Sequence, residues 1–223
     1  MKIEGKVAVV SGGASGLGES AVRRLINDGA KVVIADIQEQ NGAKLVNEFG
    51  SSKAIFVKTD VSDPESVENV FQQAVKTFNR VDIVLNCAGI LHAATILSRK
   101  CGPNEFKRTF NINVFGTFMM TKVAAKTMVK QSKDEETGEK GVIINVSSVA
   151  SYEGQKGQTI YSATKGAING MTMPLARDLG DHDIRIVTIA PGVFITPMAS
   201  GWSQDTVDAF ARFSPGGKLG KPE

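Results

Sequence analysis

Tyr161 and Lys165 stand four residues apart in the run YSATK, with Ser147 and Ser148 a short way upstream. Four residues is about one helical turn, which puts both side chains on one face with Cβ atoms about 6 Å apart. A free phenol titrates near ~10, so at neutral pH only about one in a thousand is the phenolate that can abstract a proton. Bringing that value near ~7 takes about 4 kcal/mol of preferential stabilisation of the anion. One ammonium about 5 Å away supplies roughly 3 kcal/mol at an effective dielectric of ~20. The pattern suits a tyrosine acting as acid and base towards a hydroxyl or a carbonyl, without a histidine.

Such a pair is useful only where the fold delivers a substrate to it. Runs rich in Val and Ile at 6–10, 31–35, 54–58, 81–85, 142–146 and 184–189 are strand-sized and apolar on both faces. Amphipathic stretches at 19–28, 38–49, 64–78, 104–131 and 162–179 alternate with them and predict helices. Asp63 before Pro64 is a helix start, and Gly29 and Gly50 are helix stops. Strictly alternating strands and helices predict an α/β fold: a doubly wound parallel sheet of Rossmann type, with residues 1–223 as a single domain. Sheets of this kind bind ligands beyond the carboxyl ends of their strands, so the motifs that follow strands carry the function.

SGGASGLG follows the first strand, with glycines at 12, 13, 16 and 18. Glycines there let a diphosphate approach backbone N–H groups at the positive end of the next helix. Asp36 ends the second strand and can accept hydrogen bonds from both hydroxyls of an adenosine ribose, or serve only as a helix cap. Asp60, ending the third strand, caps its loop or contacts an adenine amine.

The GxxxGxG loop, NCAG at 86–89, YSATK and the Pro191–Gly192 turn after the sixth strand occur in the order of the short-chain dehydrogenase/reductase family, which the sequence resembles from Lys6 to about Pro222. GGASGLG, NCAGI, GVIIN, EGQKGQ, ARDL and RIVTIAPGVFITP are most similar to the type 2 3-hydroxyacyl-CoA dehydrogenases, also called 17β-hydroxysteroid dehydrogenases. The resemblance implies a catalytic set of Asn113, Ser148, Tyr161 and Lys165, with Ser148 rather than Ser147 as the serine. Tyr161 would move the proton and Ser148 would hold the substrate oxygen. Asn113, interrupting a long helix, would bind through its backbone carbonyl a water that passes protons to the lysine. The implied cofactor is NAD, held by Gly12, Ser15, Gly16, Leu17, Gly18, Asp36, Asp60, Val61, Asn86, Ala88, Gly89, Tyr161, Lys165, Pro191, Gly192, Val193 and Thr196.

The implied reaction interconverts a secondary alcohol and a ketone on a small molecule, a 3-hydroxyacyl-CoA or a related apolar or steroid-like compound. Ser148, Gln155, Gln158 and Tyr161 would touch it, with 91–106 and 193–214 forming walls and a lid. Leu91, Ile96, Phe194, Met198, Trp202, Phe210 and Phe213 are the apolar residues of those segments. An NADPH-dependent 3-oxoacyl reductase is the alternative, against which Asp36 argues by repelling a 2′-phosphate with no cation at Ala14, Ser15 or Ile37. A nucleotide-binding regulator without turnover is the other.

Composition excludes much else. The net charge of +3 is scattered, so no basic stripe points to nucleic acid, and no apolar run reaches membrane-spanning length. Cys87 and Cys101 form no CxxC, and with 2 histidines neither a disulfide framework nor a metal site is expected. A strand beginning by Lys6 leaves no room for a leader, which predicts the cytoplasm, with the mitochondrial matrix as the alternative. The charged run 130–141 is expected to be a solvated excursion. Ala163, Gly166, Ala167 and Gly170 on the helix 162–179 permit close approach of another helix or packing on its own sheet, and the resemblance implies a homodimer or homotetramer. Family members continue through a further helix and a seventh strand; the sequence ends at Glu223, so a C-terminal strand is expected to be missing.

Overall fold

The computed structural model of the chain describes residues 2–214 and 216–222, apart from the side chain of Phe213, whose expected place in the substrate wall therefore lies outside the described residues. The apolar runs form β1 (Val7–Ser11), β2 (Lys31–Asp36), β3 (Ala54–Lys58), β4 (Ile83–Asn86), β5 (Gly141–Val146) and β6 (Ile184–Ile189). They pair in the order β3-β2-β1-β4-β5-β6, every pair parallel. The helices are α1 (Gly16–Asn27), α2 (Glu39–Phe49), α3 (Pro64–Phe78), α4 (Pro103–Phe110), α5 (Thr117–Met128), α6 (Thr159–Gly180) and α7 (Gln204–Phe213). None of the described helices is long and apolar enough to cross a membrane.

Alternate residues of a strand point to opposite faces, and the two cores follow that period. Val9 and Val33 join Val67, Val70 and Phe71 of α3 and Met120, Ala124 and Met128 of α5. Ala8, Val10, Val32 and Ile34 join Val22 and Ile26 of α1 and Leu45 of α2. With both faces covered, the strand order turns between β1 and β4, and the cleft beyond their carboxyl ends is the natural ligand site.

The stretch expected as one helix over 104–131 is continuous but locally unwound. Between α4 and α5 lies a π-helical turn, Asn111–Gly116, that takes up one extra residue. Gly116 closes it against the loop after β3, where an added Cβ would lie 2.7 Å from Val61 Cγ2. The turn rotates Asn113 inward, to 0% exposure.

The charged run 130–141 is not a free excursion. Asp134 forms an ion pair with Lys6 and accepts the Thr137 N–H at 2.9 Å, Glu139 pairs with Arg185 at 2.8 Å, and Lys133 pairs with Asp183 at 2.8 Å. Its charges complement those at the starts of β1 and β6, which the sequence order conceals. The Lys6 pair and the two Thr137 bonds hold the Asp134 carboxyl well below the usual carboxylate range, against a smaller opposing effect of burial.

Gly42 gives a test in which packing and propensity oppose each other. Alanine in a helix interior is ordinarily better than glycine by about 1 kcal/mol. At Gly42 of α2, however, a Cβ would sit 2.0 Å from the Phe56 ring of β3. Gly42→Ala is expected to lower the melting temperature, measured by circular dichroism; a rise would show that α2 stands farther from the sheet than described.

Candidate active site

One cavity of about 1010 Å³ runs along the carboxyl ends of the strands. At one end is the glycine loop. Gly12 has φ +66, and a Cβ there would meet Ala88 N at 2.8 Å; a Cβ at Gly18 would lie 2.1 Å from the Gly12 carbonyl oxygen. Only glycines allow so tight a fold. Ser15 occupies the N-cap of α1 without giving a side-chain cap, which leaves the first-turn N–H groups to a ligand at the dipole's positive end. Asp36, 5% exposed, is fixed by Ala14 N to Oδ2 at 2.9 Å and Gln38 N to Oδ1 at 3.0 Å, and each oxygen keeps a lone pair for a hydroxyl. Such a loop and carboxylate fit the diphosphate and ribose of a dinucleotide.

Gly12, Ser15, Gly16, Leu17, Gly18, Asp36, Asp60, Val61, Ala88, Gly89, Pro191, Gly192, Val193 and Thr196 all line this cavity. Asp60 spends one oxygen on its own loop, accepting Ser62 N at 2.9 Å. Asn86 is different: it does not line the cavity. Its side chain, 2% exposed, turns under the sheet, where Nδ2 donates to Asn145 Oδ1 at 2.8 Å and to Thr121 Oγ1 at 3.3 Å. The register partner Asn145, at the same height on β5, explains the pairing.

At the other end stand Tyr161 and Lys165, on one face of α6 as their spacing predicts, with the ammonium 5.6 Å from the phenol ring centroid. Lys165 is 5% exposed and donates to the Val146 carbonyl at 2.8 Å. Ser147 and Ser148 part company at the end of β5. Ser147 Oγ is tied to the Lys165 carbonyl at 2.9 Å, whereas Ser148 caps the turn Val149–Ser151 through Ala150 N at 3.1 Å. Asn113 also lies behind the cavity wall rather than in it. Its amide clamps the loop after β4, accepting Ile90 N at 2.8 Å and donating to Ile90 O at 3.0 Å and Thr164 Oγ1 at 3.1 Å. Its carbonyl accepts the Thr117 hydroxyl at 2.7 Å.

The electrostatics depart from the simple lysine-activation argument. Burial pushes the Tyr161 phenol above its ordinary value, and the Ser148 hydroxyl opposes that rise. Burial likewise draws the Lys165 ammonium down to about 8, opposed by Cys87. The spacing on the helix gave the neighbour but not the desolvation, and the ammonium is turned to a carbonyl. Cys87, which lines the cavity, is pushed up to about 12 by burial, against the pull of Lys165.

Gln155, Gln158, Leu91, Phe194, Met198, Trp202 and Phe210 line the same cavity, while Ile96 is 68% exposed and does not. Ile37, weighed for a cation beside Asp36, lines the cavity, as do Gln38, Leu219 and Gly220, which the sequence did not single out. Gln38 follows a strand end and is findable by that rule. Leu219 and Gly220 arrive only through the bridge of Phe194 with Gly220.

This fold and this site define a short-chain dehydrogenase, and the chain belongs to that family: the short chain dehydrogenase profile matches residues 6–207. It is an oxidoreductase acting on CH–OH groups, of a family that binds nicotinamide cofactors. Human 3-hydroxyacyl-CoA dehydrogenase type-2 is 39% identical over 225 residues, 99% of this chain and 85% of its own length. The 3-hydroxyacyl-CoA dehydrogenase type-2 of Mycobacterium avium superposes with a TM-score of 0.89 at 36% identity, over 98% of this chain and 85% of that one. The 3-ketoacyl-(acyl-carrier-protein) reductase of Brucella melitensis, complexed with NADH, gives 0.88 at 30% identity, over 99% and 87%.

Because Ser148 is the group that lowers the phenol, Ser148→Ala is expected to move the Tyr161 ionisation of the ligand-free protein still higher. Ultraviolet difference titration, with Tyr161→Phe subtracted to remove the other tyrosine, reads it; an unchanged midpoint would remove Ser148 from the account.

Proposed function

We propose that the protein oxidises 3-hydroxyacyl-CoA thioesters to 3-oxoacyl-CoA with NAD, in a reducing compartment, the cytoplasm or the mitochondrial matrix. The observation that carries this reading is the single cavity in which a dinucleotide-type cradle ending in Asp36 meets Tyr161, Lys165 and Ser148 beside an apolar wall. The two relatives named 3-hydroxyacyl-CoA dehydrogenase type-2 support the substrate class.

When bound, the oxidised cofactor supplies the hydride acceptor and a positive ring near Tyr161. The chain's own residues do the rest. Tyr161 takes the proton of the substrate hydroxyl, and Ser148 holds the same oxygen as charge develops on it. Lys165, anchored on the Val146 carbonyl, keeps a positive charge behind the phenol. Asn113 fixes the loop after β4 through both polar groups of Ile90, and so keeps Gly89 against Lys165, where a Cβ would lie 3.8 Å from Nζ.

Reduction of a 3-oxoacyl thioester with NADPH is the competing reading, and Asp36 disfavours it. The cations lining the cavity among the described residues are Arg108 and Lys165, neither on the elements that carry Asp36. We also propose assembly into a homodimer or homotetramer through the face of α6 on which Gly166 and Gly170 leave open space.

Steady-state assays with a short 3-hydroxyacyl-CoA test the central proposal. Tyr161→Phe is expected to abolish oxidation while retaining cofactor binding, read by fluorescence of bound NADH. A variant keeping more than a small fraction of kcat would require another base. NAD is expected to be preferred over NADP by tenfold or more in kcat/KM, the effect of about 1.4 kcal/mol of repulsion at Asp36; equal values would sink the assignment. Light scattering checks the assembly, which an active monomer would disprove.

A further inference from the structure

We infer that Trp202, stacked on Phe210 inside the lid, makes the cavity selective for longer acyl chains over short ones. This rests on the thioester reading above. Trp202 is the chain's sole tryptophan. It is held in place from three directions. Its backbone N–H donates to the Ala199 carbonyl at 3.1 Å, closing the turn Pro197–Ala199. The next residue, Ser203, caps α7 through Thr206 N at 3.3 Å. Its indole stacks on the Phe210 ring, centroids 4.8 Å apart and planes inclined by 22°.

Both rings line the catalytic cavity, as do Met198 and Phe194. The lid that carries them is closed at its base, where Gly220 donates to Val193 O at 2.9 Å and accepts from Ile195 N at 2.8 Å. Thr196 packs on the glycine loop, 3.4 Å from where a Cβ of Gly16 would be. A stack on a base fixed in this way is a ready apolar wall, because an aromatic pair loses little freedom when a ligand covers it. The reacting end of the cavity is polar, with Tyr161, Ser148, Gln155 and Gln158. A short acyl group satisfies that end and leaves the stack in water; a longer one covers it and gains hydrophobic free energy with each methylene.

The test compares 3-hydroxyoctanoyl-CoA with 3-hydroxybutyryl-CoA in wild type, Trp202→Ala and Trp202→Phe. Trp202→Ala is expected to lower the octanoyl-to-butyryl ratio of kcat/KM by about tenfold or more, the scale of losing one or two methylene contacts, and Trp202→Phe to keep most of it. An equal proportional loss on both substrates overturns the inference. A second readout needs neither turnover nor a variant: Trp202 emission in the NAD-bound wild type, titrated with octanoyl-CoA and acetyl-CoA, which lack the reacting hydroxyl. Octanoyl-CoA is expected to change the emission and acetyl-CoA at equal concentration to leave it; no change with octanoyl-CoA overturns the inference. Emission that responds to octanoyl-CoA in a protein that oxidises neither hydroxyacyl thioester sustains the wall while overturning the proposed reaction.

Discussion

An ammonium 5% exposed to solvent must be given acceptors by the fold, and Lys165 receives the Val146 carbonyl at 2.8 Å. A buried, unpaired cation would cost several kcal/mol. That single requirement fixes α6 against the end of β5. Ser147 adds a second tie to the same lysine through its backbone carbonyl, so the strand end and the helix are laced at both the head and the root of one side chain. Once they are, Ser148 and Tyr161 can only meet, since one is the next residue on the strand side and the other lies one turn earlier on the helix.

Asn113 extends the same logic to the opposite wall. Its amide replaces backbone partners for Ile90, in a loop that pairs with no strand, and reaches Thr164 on α6. An ordinary α-helix would not present it there, and the π-helical turn supplies the missing rotation. Thr117 and Thr121, one and two turns on, continue the buried polar line down to Asn86 and Asn145. Among the described residues Asn86 Oδ1 and Asn145 Nδ2 have no protein partner.

The sheet could be read from the sequence because Val and Ile runs buried on both faces have no competing explanation at that length, and the structure moves their ends by only a residue or two. The glycine loop and Asp36 were legible for a related reason: their meaning comes from standing after strands. What the sequence hid were quantities that only burial decides. An asparagine after a strand reads the same whether it faces the cleft or, like Asn86, its neighbour strand. The Tyr161–Lys165 spacing showed the cation's nearness and not the desolvation that raises the phenol. Helix α7 is short and its pattern belongs to no strand, and the ion pairs that hold 130–141 join residues far apart in sequence.

The clamp at Gly220 meets the segment after β6 through main-chain groups alone, with both its N–H and its C=O engaged. Hydrogen bonds of that kind are blind to side-chain identity, and they close the chain between 196 and 219 into a ring at its base. Closing such a ring costs entropy that grows only slowly with its length. A change in its length therefore costs little in closure entropy. The molecule is in effect a reactor at the strand ends and a cover held over it by main-chain bonds alone.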